Sequence, residues 1–296
     1  MSDRTAAGGG GLDGGDPGYT LPRAREEYDR LGRQAAFLGS TTERLFRAAG
    51  IGPGLRVLDV GSGAGDVALL AAELVGPTGA VVGVEVDDAA LTVARGRAAA
   101  QGLSNVSFVQ GDLRTLGADG GVELGGGGFD AVVGRLVLMY VPDPGDVMRR
   151  LAATVRPGGV VAFQELDLDP AVTSYSWPDD TLWNQTGRLL VETFRRAGAH
   201  MRMGRRLFAD IETAGLGPPD LLDEALTGGG ARFAGYDWIA GLARALAPLM
   251  ERLEVTDVAA LELDTLAARI RQDAIERGAV MWLPSLVGAY AHRRVP

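Results

Sequence analysis

The chain has no cysteine and no lysine among its 296 residues, and only two histidines, His200 and His292. Without cysteine there is no disulfide and no thiolate metal ligand, which fits a reducing compartment and gives a cytoplasmic location as the expectation. Without lysine, Schiff-base chemistry and a lysine general base are excluded. The 29 basic residues are therefore all arginine, and they form no dense basic run in a chain of net charge −9. Nucleic acid is accordingly not an expected partner. No stretch reaches the roughly 18 consecutive apolar residues of a membrane span. Residues 1–18, MSDRTAAGGGGLDGGDPG, lack the apolar core of a secretory signal, and their glycine content predicts a flexible tail. No His, Asp and Glu cluster shows metal-ligand spacing, so no metal is expected.

What is present is an alternation of short apolar strands and helices. Arg56 to Val60, Ala80 to Glu85, Val106 to Gln110, Phe129 to Val133 and Val160 to Gln164 read as strands. Asp66 to Leu74, Asp88 to Ala100 and Asp146 to Val155 read as the helices between them. Such alternation predicts an α/β, doubly wound, mostly parallel sheet with helices on both faces. Before it, residues 19–50 read as a helical segment. Ser40 and Glu43 have capping-box spacing, which predicts a helix start there, and Gly50 predicts its stop. The glycine-rich insertion from Gly117 to Gly128 reads as a mobile loop. From 169 onward the rhythm changes. Helices are expected over Asp179 to Ala197, Arg206 to Ala214, Tyr236 to Arg252 and Asp264 to Arg277, with strands at Leu221 to Leu226 and Leu286 to His292. Those two strands bring the sheet to seven, and the rest of 169–296 is expected to form a helical cap.

The first strand runs into Gly61-Ser62-Gly63-Ala64-Gly65 and then a helix. Glycines let a ligand approach the backbone without a Cβ clash, and the helix N-terminus favours an anionic or polar group. Taken alone, this is also an ordinary tight turn. Three carboxylates raise its meaning. Asp59 ends the first strand, Glu85 ends the second, twenty residues after Gly65, and Asp112 follows the third. A carboxylate at Glu85 can accept both hydroxyls of a ribose, and one at Asp112 can accept an adenine amino group. A nicotinamide fingerprint needs Gly-x-Gly-x-x-Gly, whereas here Gly61, Gly63 and Gly65 are followed by Asp66.

With Val82 to Asp87, Val109 to Leu113, Phe129 to Val133 and Arg156-Pro157-Gly158-Gly159, the segment 43–168 resembles the class I S-adenosylmethionine-dependent methyltransferases. The similarity is to their small-molecule branch, which includes the ubiquinone and menaquinone biosynthesis enzymes. The resemblance implies a Rossmann-like S-adenosylmethionine-binding core over 51–168, with 19–50 as a lid. It also implies the cofactor contacts: Asp59 with Gly61, Ser62, Gly63, Ala64 and Gly65 for the methionine portion, Glu85 and Val86 for the ribose, and Gly111, Asp112 and Leu113 for the adenine. Backbone carbonyls near Gly134 and Arg135 would hold the amino group. Arg135 can also pair with a carboxylate, or can be a structural ion pair.

Methyl transfer needs alignment more than acid–base machinery. Where a base is needed, Glu165, past the fifth strand, and His200, in the cap, are the candidates, each also open to a purely structural role. Tyr19, Gln34, Met139, Tyr140, Trp183 and Met203 are the candidate acceptor-binding residues, since aromatic and Met side chains suit an apolar ligand and also suit plain core packing. The expected reaction is methylation of a small, largely apolar molecule in secondary-metabolite biosynthesis. The competing readings are a non-methylating use of the bound sulfonium, a nicotinamide-dependent oxidoreductase and a non-catalytic binding module. A homodimer stays open.

Overall fold

The computed structural model describes residues 25–116, 124, 128–168 and 174–295, with side chains from residue 37 onward. Tyr19, the tail over 1–18 and most of the Gly117–Gly128 insertion lie outside the described residues, as does the side chain of Gln34.

The chain begins with α1 (Arg25–Ala48). Five strands and three helices follow: β1 (Arg56–Val60), α2 (Asp66–Val75), β2 (Ala80–Glu85), α3 (Asp88–Ala100), β3 (Val106–Gln110), β4 (Phe129–Arg135), α4 (Pro144–Thr154) and β5 (Val155–Asp167). The remainder is β6 (Ser176–Trp177), α5 (Leu182–Arg196), α6 (Met203–Ile211), β7 (Asp220–Glu224), β8 (Thr227–Gly229), α7 (Gly235–Arg252), α8 (Leu266–Glu276), β9 (Val280–Trp282) and β10 (Ser285–His292).

Seven strands form one sheet in the order β3-β2-β1-β4-β5-β10-β7. The first five are parallel, while β10 runs antiparallel to both β5 and β7. The α/β, doubly wound architecture expected from the sequence is thus present. Buried strands such as Val57-Leu58 and Val132-Val133 have no polar face because helices cover both sides. The chain leaves β1 toward β3 and returns to β4 on the other flank of β1. That reversal opens a crevice at the carboxyl ends of β1 and β4, where ligands bind in such sheets.

Three features differ from the sequence reading. First, α1 does not begin at Ser40 but runs through it. The hydroxyls of Thr41 and Thr42 bond back to the Leu38 carbonyl at 2.7 and 3.3 Å, which a continuing helix tolerates. Leu38, Thr41, Thr42, Leu45 and Phe46 are all buried on one face, so tertiary burial outweighs the local capping signal. Second, β5 starts earlier than expected, at Val155, and passes a register shift against β4. Third, β6, β9 and β8 form a separate three-stranded sheet under the cap helices. Its strands have two or three residues each, too short to carry a period of two.

Helix α6 lies flush on the sheet at Gly204, where an added Cβ would come within 2.9 Å of Val287 Cγ2 and 3.0 Å of the Glu165 carbonyl. Gly96 in α3 faces open space. We therefore expect Gly204→Ala to cost ~1–3 kcal/mol through overpacking, and Gly96→Ala to stabilise by ~0.5–1 kcal/mol through helix propensity. Urea unfolding of the two variants checks this, and shifts of the same sign would contradict it.

Candidate functional site

The loop after β1 lies against neighbours that leave no room for side chains. Gly61 has φ +67, and a Cβ there would collide with Val137. Gly65 has φ +89, and its Cβ would meet Ala94 at 3.0 Å and Phe108 at 3.1 Å. Both positions therefore need glycine for conformation as well as for space. The loop is pinned by Ser62 N–H donating to the Val84 carbonyl at 2.9 Å and Gly65 N–H donating to Ser62 at 2.8 Å. Arg97 donates to the Ala64 carbonyl at 2.7 Å and pairs with Asp66 in the first turn of α2. Asp59 Oδ2 and Ser62 Oγ are buried here without a hydrogen-bond partner. Burial raises the Asp59 pKa well above the carboxylate range, with the Arg135 charge pulling it partly back.

Glu85 closes the next side. One carboxylate oxygen accepts from Gly63 N–H at 3.1 Å, and the other accepts from Val86 and Asp87 N–H at 2.8 and 3.0 Å. A carboxylate offers about four acceptor directions. Three are spent in this arrangement, so Glu85 both braces the loop and keeps capacity for a ligand hydroxyl. The Gly111 N–H donates to the Glu85 carbonyl at 3.0 Å, which carries the chain from β3 to Asp112. Asp112 accepts from the backbone and guanidinium of Arg114 and forms an ion pair with it at 2.8 Å. That hydrogen bond, above all, lowers the Asp112 pKa. Leu113 packs against the core beside it, and Val86 is half exposed on the rim.

On the far flank of the crevice, β4 ends in Gly134 and Arg135. The Arg135 Nη1 donates to Thr42 Oγ1 at 2.9 Å, and Thr42 donates to Gln164 Oε1 at 2.8 Å. Burial lowers the Arg135 pKa, opposed by the charges of Asp66 and Asp59. Thr42, Gln164 and Arg114 were not among the residues singled out from the sequence. Two of them had a readable signal, being polar side chains on the apolar face of a helix and inside an apolar strand.

Directly after Arg135, Leu136 adopts φ +55, an uncommon conformation for a residue with a side chain. Glu165 braces this turn. Its Oε1 accepts from Val137 N–H at 2.9 Å and Leu138 N–H at 2.7 Å. Its Oε2 is buried and has no partner. Burial pushes the Glu165 pKa up to about 7, against the pull of the amides of Leu138, Val137 and Met139.

Other expected contacts are placed elsewhere. The His200 Nε2 faces the Val141 carbonyl at 2.9 Å, and Nδ1 lies 3.5 Å from Arg206 Nη1. Arginine only donates, so Nδ1 is the acceptor and Nε2–H the donor; the Nε2 contact ties His200 to the turn after β4, while the Arg206 contact lies within the cap. Met139 and Met203 are fully buried in the main core. Tyr140 packs on Phe194, with ring centroids 6.3 Å apart. Trp183 does line a pocket. That pocket lies between α5 and α7, past the end of β5 at Leu166 and Leu168, with Tyr175, Phe194, Trp238 and Trp282 also on its walls. Its space, open mouth included, is about 440 Å³. Neither Glu165 nor His200 lines it.

Comparison with known proteins fits this geometry. A family profile described as "Methyltransferase domain" matches residues 51–199, half of the chain. An arsenite methyltransferase of Aquipseudomonas alcaligenes is 33% identical over 136 residues, covering 45% of this chain and 38% of that one. A ubiquinone/menaquinone biosynthesis C-methyltransferase of Ectopseudomonas mendocina is 37% identical over 112 residues, covering 38% of this chain and 41% of that one. The chain thus spans about two fifths of the length of either relative. Among solved structures, phosphoethanolamine N-methyltransferase 2 of Haemonchus contortus, bound to phosphomonomethylethanolamine and S-adenosylhomocysteine, superposes with a TM-score of 0.52. It is 17% identical, with 92% of this chain and 59% of that one covered, and the likeness is one of fold.

The buried Glu165 has a pH signature. A folded pKa of about 7 against an ordinary 4.5 means that the folded state keeps a proton the unfolded state has lost. This stabilisation is fully present below pH 4.5 and is lost as pH rises through 7. At about 1.4 kcal/mol per unit, the loss is about 3 kcal/mol. Glu165→Gln, which keeps an oxygen for the two amides, should remove that slope. Unfolding free energies of wild type and variant at pH 4.5, 6 and 8 measure it, and parallel pH curves would show that Glu165 is not the titrating group.

Proposed function

The chain belongs to the methyltransferase domain family, and from that membership we propose that it transfers a methyl group from S-adenosylmethionine to a small, largely apolar acceptor. The observation that carries this reading is the glycine loop Gly61 to Gly65, tight at Gly61 and Gly65, flanked by Asp59, Glu85 and Asp112 along one crevice. The residues fit the donor. No Cβ fits at Gly61 or Gly65, which keeps the loop's tight course, and the partnerless Asp59 Oδ2 and Ser62 Oγ are buried polar atoms of the kind a ligand satisfies. Gly61 to Gly65, with Asp59, would hold the methionine portion, Glu85 the ribose and Asp112 the adenine amino group. When bound, the sulfonium supplies an already activated methyl carbon for in-line displacement.

The chain's own contribution is alignment and exclusion of water. Glu165 holds the turn at Leu136 to Leu138 between the donor crevice and the cap, and so acts as a positioning residue. The apolar pocket beyond β5 offers the acceptor a water-poor site. Helix α1, Arg25–Ala48, serves as a cover whose Phe37 packs on Trp238 of the pocket wall. Residues 51–168 form the donor-binding unit and 169–296 complete the sheet and cap it. An apolar acceptor fits a role in secondary-metabolite biosynthesis, and no described helix is long and apolar enough to cross a membrane.

Two measurements test the proposal. Calorimetry should show S-adenosylhomocysteine binding to wild type and a loss of roughly 10–100-fold in Glu85→Ala, the range for hydrogen bonds to a charged group. With methyl-labelled S-adenosylmethionine and an organic extract of the source cells, label should move into solvent-extractable small molecules. No binding, equal affinities or label confined to the donor would each count against it.

A further inference from the structure

We propose that Arg135, at the end of β4, is a carboxylate-binding residue whose guanidinium takes the carboxylate of a ligand lying in the crevice. The proposal rests on the crevice being the donor site described above. Two ligands can bring that carboxylate, the amino-acid end of the methyl donor or an acidic acceptor.

Position and charge carry it. Val57, Val133 and Ala162 pack with Leu45 and Phe46 of α1 on one face of the sheet. Side chains alternate along a strand, so Asp59, Arg135 and Gln164, each two residues further on, stand on that same face. They occupy the carboxyl ends of three neighbouring strands. The contact of Arg135 with Thr42 of α1 agrees with this placement. A guanidinium carries five N–H donors and no acceptor. Arg135 spends one donor on a neutral hydroxyl, and among the described residues it forms no ion pair. The two carboxyl groups whose charge bears on it are otherwise engaged. Asp66 pairs with Arg97, and burial holds Asp59 toward its neutral form. A desolvated cation without a counter-ion is costly, and burial does lower the Arg135 pKa. A ligand carboxylate would restore the balance, since its two oxygens match the guanidinium fork. The pocket between α5 and α7 has no charged lining residue, so an anionic group finds no such partner there.

Two matched pairs of probes test this and tell the sources apart. The first is S-adenosylhomocysteine and its decarboxylated analogue, which differ by the one carboxylate. In calorimetric titrations, wild type should bind the former about 10–100-fold more tightly, the range for hydrogen bonds to a charged group. In Arg135→Met, which keeps the stem and removes the charge, the ratio should fall to about one. Arg135→Lys, which keeps the charge without the fork, should give an intermediate ratio. Adenosine, which lacks the amino-acid end, should bind both variants as it binds wild type, which shows that they are folded. Thr42→Val separates ligand binding from mere docking of α1. It removes the one contact Arg135 makes with the helix and leaves the guanidinium, so the ratio should stay within about threefold of wild type. The second pair is benzoate and benzamide, titrated into the S-adenosylhomocysteine complex. A preference for benzoate of about tenfold that vanishes in Arg135→Met assigns the carboxylate to an acidic acceptor instead. If neither pair shows a preference that depends on Arg135, or if Thr42→Val matches Arg135→Met, the proposal is overturned. Failure of wild type to bind S-adenosylhomocysteine would instead remove the donor reading, and the benzoate pair on the free protein would then decide alone.

Discussion

A side chain at Gly61 would run into Val137, and one at Gly65 would run into Ala94 and Phe108. At these two positions past the carboxyl end of β1 only backbone fits, and the loop's neighbours are packed around that restriction. The strand, the loop and α2 come close because nothing stands between them. The Glu85 carboxylate meets the Gly63 amide of the loop from the neighbouring strand. The same contact surface reaches across to β4, since Val137 belongs to the turn that follows it. The donor crevice and the turn toward the cap are therefore mechanically one unit. Glu165 holds the turn by two backbone amides at the cost of burying a carboxyl group.

One group of buried polar side chains stands at the carboxyl ends of the central strands. Asp59, Ser62, Gln164, Glu165 and Asp167 are all nearly inaccessible there. Arg135 reaches Thr42, which reaches Gln164, and Asp167 holds Arg205 through two oxygens. Away from these ends the strands are apolar on both faces. A sheet that needed only stability would not place so many desolvated groups together, nor leave atoms of three of them unpaired. The pattern is that of a site whose remaining partners arrive with a ligand.

The central sheet was readable in the sequence because its strands are short, apolar and separated by well-capped helices, as Asp87 and Asp143 show at the starts of α3 and α4. The crevice was readable because the glycine spacing and three carboxylates sit at strand ends, where chemistry dictates residue type. The cap was less so. Trp238 and Phe194 are indistinguishable in sequence from ordinary core residues, and only packing shows that they wall a pocket while Met139 and Met203 do not. His200 has the right chemistry for a base, and the carbonyl that its Nε2 meets, that of Val141, is 59 residues away in the chain and so invisible to a local reading. The Ser40 signal failed for the same reason: a local cap competes poorly with a helix face buried at Leu38, Leu45 and Phe46.

The central claim is that the loop Gly61 to Gly65 and Glu85 together hold the methyl donor. A crystal structure of the protein grown with S-adenosylhomocysteine tests it most directly. The account predicts a ribose hydroxyl within hydrogen-bonding distance of the Glu85 carboxylate, with the methionine portion over the loop. Ligand density elsewhere, or a ribose out of reach of Glu85, would contradict it.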